Sequence, residues 1–153
     1  MRQFHKGQRL IKLCDQKTRT EQQLLSRNMR QRQNLLDEIE RCKAEIQTLE
    51  QMLIAQQLHG VATSKAEIYT LRRQQAILLH QRQQLRLEHT MREENLRDVD
   101  NEIAQCHRQL TILKRKEMKF TKWTQSSKKD WLLQKETSNE IEQQESAPWH
   151  LHH

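Results

Sequence analysis

The chain has 153 residues, of which 34% are apolar and 31% charged, with two glycines, one proline and a formal net charge of +7. An average globular domain is about 45–50% apolar, so a wide, layered core is excluded, whereas a narrow seam along long helices needs only two apolar positions in seven. The charge suits an acidic protein, a nucleic acid or an anionic membrane surface without choosing among them.

At the N-terminus, MRQFHKGQRLIKLC has no apolar stretch of the kind a secretory signal requires. Nothing in the chain approaches the ~18 apolar residues of a membrane span, so no direct membrane insertion is expected. Cys14, Cys42 and Cys106 are odd in number, widely spaced and form no CxxC pair, which fits a reduced, cytoplasmic protein.

The first helix is expected over about residues 5–59. Its apolar frame is clear at Leu35, Ile39, Cys42, Ile46, Leu49 and Leu53 and poorer earlier, where Thr18, Glu21, Asn28 and Arg32 fall on the same frame. Apart from Gly7, the only strong punctuation before residue 140 is the stretch from Leu58 to Glu67. Gly60 suits the left-handed position after a helix end, and Ser64 with Glu67 has the spacing of a capping box. A loop over 60–64 is short enough to make the flanking helices antiparallel.

The second helix is expected over about 65–140. Its d positions are Leu71, Leu78, Leu85, Arg92, Val99, Cys106, Leu113 and Phe120, seven of eight apolar where composition alone predicts about a third. Its a positions are Ile68, Gln75, Arg82, His89, Leu96, Ile103, Leu110 and Glu117, so the seam is polar on one side from Gln75 to His89. The expected fold is all-α: a long antiparallel two-helix coiled-coil hairpin, one domain over 1–145, with left-handed supercoiling. Folding at about residue 62 pairs position i with roughly 124 minus i, which gives a hairpin about 55 residues deep and roughly 80 Å long. In that register Cys14 falls within a turn of Cys106. Helix 1 runs out opposite residue 120, residues 121–140 overhang as a single helix, and 146–153 form a frayed tail.

Arg2, Lys6, Arg9, Lys12, Lys17 and Arg19 face one acid, Asp15, within the first 19 residues; Arg108, Lys114, Arg115, Lys116, Lys119, Lys122, Lys128 and Lys129 face one, Glu117, over 108–129. The hairpin brings these segments together, with Phe120, Trp123 and Trp131 in or beside them. The plain reading of each is a solvated charge run and core aromatics. Their convergence at one end, past the expected end of helix 1, points to a docking pole.

No P-loop, HExxH or GxSxG motif is present, and two helices cannot shield a catalytic group from water. No enzyme, cofactor or metal site is expected. His150, His152 and His153 read as a frayed end or an expression remnant.

The stretch Ala66-Glu67-Ile68-Tyr69-Thr70-Leu71-Arg72-Arg73-Gln74-Gln75-Ala76-Ile77-Leu78, followed by Arg115-Lys116-Glu117, Phe120 and Trp123, resembles the SpaM/InvI proteins of bacterial type III secretion, within the broader YscO/FliJ group. The resemblance covers roughly residues 60–140. It implies a central stalk, on the cytoplasmic face of the secretion apparatus, whose coiled coil enters the hexameric export ATPase and also contacts the export gate protein; some members bind secretion chaperones. The ATPase contact would then fall to Arg9, Lys12, Lys114, Arg115, Lys116, Lys119, Phe120, Lys122, Trp123 and Trp131. The flagellar relative meets the gate through an aromatic-x3-Leu-x2-Ala-x3-His face, onto which Tyr69, Arg73, Ala76 and His80 fall, with Arg73 where the pattern has Leu. Two other classes stay open: an export chaperone or scaffold, and a nucleic-acid-binding arm, for which the basic pole is the only support. A dimeric cytoskeletal coiled coil is a third.

Overall fold

The computed structural model describes residues 2–58 and 64–151, and these form two α-helices, α1 (Arg2–Leu58) and α2 (Lys65–Leu151). Among the described residues there is no strand. The architecture is the all-α helical hairpin that the heptads demand. Gly60, His152 and His153 lie outside the described residues. Ser64 opens α2 as read: its Oγ accepts a hydrogen bond from the Glu67 backbone N–H at 3.3 Å, and its carbonyl accepts one from the Ile68 N–H at 3.1 Å. α2 continues past the expected end near residue 140, through the stretch read as a frayed tail, to Leu151. Residues 132–147 contain no glycine or proline, and Gln and Glu, both good helix formers, make up seven of the sixteen.

The helices pack as two compact units. A central unit comprises Leu25–Gln105, and a terminal unit comprises Met1–Leu24 with Cys106–His153. In the central unit Leu35, Ile39, Cys42 and Leu53 of α1 and Val99 of α2 are buried, with Leu78, Leu85, Leu96 and Ile103 half-buried beside them. The polar a positions Gln75, Arg82 and His89 also turn inward and are half-buried. In the terminal unit the buried residues are Gly7, Cys14, Cys106, Leu113 and Thr124. No large described side chain is completely covered, because each has only one neighbouring helix.

Two readings need correction. The first is the register. In the central unit, Arg32 meets Asp100, Glu38 meets Arg92, Glu50 meets Arg86 and Gln56 meets Gln74, so partner numbers sum to 130–136 rather than about 124. Helical side chains lean toward their own N-terminus, which moves antiparallel partners a residue or so each. The larger part is that residues 64–70 are all exposed: α2 runs more than a turn before it meets α1, so the helices do not start level. In the terminal unit Phe4 lies against Lys128 and Gly7 against Thr124. That register sets Cys14 opposite about residue 117, roughly three turns from Cys106. All three cysteines are free thiols.

The second correction is the extent of the seam. It does not fade at Phe120. Counting by sevens, Gly7, Cys14, Glu21, Asn28, Leu35, Cys42 and Leu49 all turn inward, as do Phe4, Ile11, Thr18, Leu25, Ile39, Ile46 and Leu53. On α2 the frame persists through Thr124 to Trp131. The early frame looked poor because small and polar residues occupy it, and Gly7 shows why. A Cβ added there would collide with Thr124 Oγ1 and lie 3.0 Å from its Cβ and 3.2 Å from its Cγ2. Gly7 therefore permits a close approach of two backbones.

Alanine is the better helix former by about 0.8–1 kcal/mol, but overpacking costs about 1–3 kcal/mol. Gly7→Ala should therefore lower the thermal midpoint. The Gly7→Ala/Thr124→Ala double variant should recover part of the loss in a circular-dichroism melt, because the Oγ1 and Cγ2 contacts go while the one to Cβ at 3.0 Å remains. A Gly7→Ala variant that melts above the parent would contradict the close packing.

Candidate interaction surface

The two units differ in charge more than in fold. The central unit holds twelve Lys and Arg against twelve Asp and Glu; the terminal unit holds fifteen against eight. The whole net charge of +7 thus resides in the terminal unit. Four of its eight acids are Glu136, Glu140, Glu142 and Glu145, beyond the stretch of α2 that α1 covers, so the covered part is more basic still.

Three central-unit arginines are answered across the hairpin. Arg32 Nε donates to Asp100 at 2.7 Å, Arg86 Nη2 to Glu50 at 3.0 Å and Arg92 Nε to Glu38 at 2.9 Å. Arg92, the one charged d position, also donates to Glu88 at 3.2 Å and to the Cys42 sulfur at 3.1 Å. The guanidinium is held above its ordinary pKa by its hydrogen bonds to Glu38 first and Glu88 second. Exposed ion pairs contribute only about 0.2–1 kcal/mol each, so these pairs specify register more than they hold the helices together.

In the terminal unit the only ion pair formed among the described residues is Asp15 with Arg19, one turn apart on α1. Arg9, Lys12, Lys114, Arg115, Lys116, Lys119 and Lys122 are all exposed. The aromatics divide. Phe120 is half-buried on the seam, and Trp123 is 38% exposed. Trp131 is half-buried, with Lys135 Nζ 5.2 Å from its ring centroid. Lys128 stands 5.6 Å over the Phe4 ring. Helix 1 has therefore not ended at Trp123, as the sequence register implied; α1 reaches as far as Lys128. Trp123 is left as the accessible indole of the two.

Tyr69, Arg73, Ala76 and His80 are all exposed in the central unit, Tyr69 at 73%. Their 4-3-4 spacing sets them on one helix face. Ile77, Leu87 and Met91 lie on the same outward side and are also exposed. Sequence reading passed over these three, although apolar residues lying off an established a/d frame were the available signal.

A groove of about 520 Å³ between Ala44, Thr48 and Leu49 on α1 and Gln81 and Leu85 on α2 is open along its side. No described group of three or more His, Cys, Asp or Glu is placed to hold a metal ion, and no described helix is long and apolar enough to cross a membrane.

A two-helix antiparallel coiled coil with one electrostatically unanswered unit is an interaction protein by class. The profile described as Salmonella surface presentation of antigen gene type M protein matches residues 5–147, and the chain belongs to that family. The family is associated with type III secretion. No curated protein and no solved structure matches the chain.

The seam position of Arg92 has a direct check. A packed leucine at this d position would add apolar contact to the seam, and the carboxylates it leaves behind, Glu38 and Glu88, are 43% and 55% exposed and return to water, whereas truncation leaves a gap. Arg92→Leu should melt at or above the parent temperature and Arg92→Ala below it; equal midpoints for the two variants would contradict a packed seam at this position.

Proposed function

We propose that this chain is the central stalk of a type III secretion export apparatus, and that its terminal unit enters the hexameric export ATPase. The observation that carries the reading is the confinement of the net charge to one unit, whose described residues form a single ion pair, Asp15 with Arg19. These cations stand on the outward faces of both helices: Arg2 and Arg9 on α1, Arg115 and Lys122 on α2. Charge on both outer faces suits a partner that surrounds the element, as a ring's acidic pore does, better than one that meets it from a single side. Trp123 would supply an aromatic contact among those charges.

Tyr69, Arg73, Ala76 and His80 would meet the export gate protein, as the resemblance implies. Ile77, Leu87 and Met91 extend that exposed face and favour a second role, the binding of secretion chaperones or export clients there. In this reading ATP is the partner's substrate. The stalk would act by touching the ring's subunits unequally, biasing their sites in sequence and linking hydrolysis to export.

The test is charge reversal on an exposed part of the terminal unit. Lys114→Glu/Arg115→Glu/Lys116→Glu should retain its helicity and melting temperature yet bind the cognate ATPase about tenfold more weakly or worse at physiological salt. Unchanged affinity would remove the terminal unit from the ring.

A further inference from the structure

The cations of α2 in the terminal unit are not scattered. Arg108, Arg115, Lys122 and Lys129 recur every seven residues, and all four are exposed. The inward positions of this stretch are Cys106, Leu113, Phe120, Thr124 and Trp131. In the heptad those four cations occupy f, the position opposite the seam, so they form a row along the back of α2 at intervals of about 10.5 Å.

Among the described residues the row has no ion-pair partner. A helix surface cation can be paired by an acid three or four residues away, as Asp15 pairs Arg19. None of the four has one: the flanking positions hold Ala104, Gln105, Thr111, Ile112, Met118, Lys119, Gln125, Ser126, Leu132 and Leu133. Facing away from the seam, they are also turned from α1. The same heptad position carries Glu94 and Asn101 before the row and Glu136 after it, so the row occupies only the part of α2 that lies in the terminal unit and is paired with α1.

We propose that this row is the track on which an acidic protein surface binds, with carboxylates carried on a partner helix at matching heptad intervals. The inference rests on the stalk reading, in which that surface lines the ATPase pore. Matching intervals let the four cations be met one for one. Duplex nucleic acid carries a charge about every 1.7 Å of its axis, a much denser array than one cation per 10.5 Å. Four cations in register on α2, against two on the outer face of α1, make the two outer faces unequal, so the stalk would bind one sector of a surrounding sixfold ring more strongly than the others.

The test moves charge without removing it. Thr111→Arg/Arg115→Gln/Lys122→Gln/Gln125→Lys shifts two cations off the row at constant net charge and keeps exposed helical positions throughout. Arg2→Gln/Arg9→Gln removes two cations from the outer face of α1 for comparison. Affinity for the cognate hexameric ATPase and for a 20-base-pair duplex DNA would be read by fluorescence anisotropy, with circular dichroism as the check on folding. The account expects the shifted variant to bind the ATPase about tenfold more weakly, since individually weak exposed pairs act here in register, and the α1 variant to lose less. It expects both variants to bind DNA according to net charge alone. If the shifted variant binds the ATPase like the parent, the row is overturned while the stalk reading stands. If the parent itself does not bind the ATPase, the stalk reading falls and takes the row with it. A shifted variant impaired on DNA and not on the ATPase would assign the row to nucleic acid and overturn the proposal.

Discussion

The described residues form two helices and no sheet, so the apolar burial open to them is the strip along which α1 and α2 touch. Its width is two residues in seven, so each inward position matters and none is completely covered. The rest follows from that narrowness. The polar and charged remainder has to face water or a partner, and closely approaching backbones need small residues such as Gly7. A catalytic group has nowhere to be enclosed.

The narrowness also explains what could be read in advance. Heptads announced both helices, and Ser64 with Glu67 announced the start of the second, because those signals are local. Register was not legible. It depends on how far α2 runs before it meets α1, and no residue between Leu58 and Ser64 encodes that distance. The early seam of α1 was hidden for another reason: Gly7, Thr18, Glu21 and Asn28 are not apolar, so a hydrophobicity count passes over them. Their positions, multiples of seven from Leu35 and Ile39, were the better guide. Trp123 and Trp131 were placed beyond helix 1 by the same register error, and Trp131 proved half-covered.

Charge was legible as composition but not as arrangement. The sequence shows two basic runs; only the packing shows that one unit balances its charges, twelve against twelve, while the other carries the entire excess. In the central unit arginines reach across the seam to Asp100, Glu38 and Glu50 and so serve the hairpin itself. Among the described residues of the terminal unit no ion pair crosses the seam, and the proposed acidic partner would meet that unit. Membership of a type III secretion family gives that partner a context, and the proposed ATPase ring an explicit form.

The central claim is that one chain serves one ring. Native mass spectrometry of the chain mixed with its cognate export ATPase, with hydrolysis followed in parallel, tests it most directly. The account predicts a complex of one chain with six ATPase subunits and faster ATP hydrolysis than by the ring alone. A ratio of one chain per subunit, or no complex and no change in rate with both proteins folded, would contradict it.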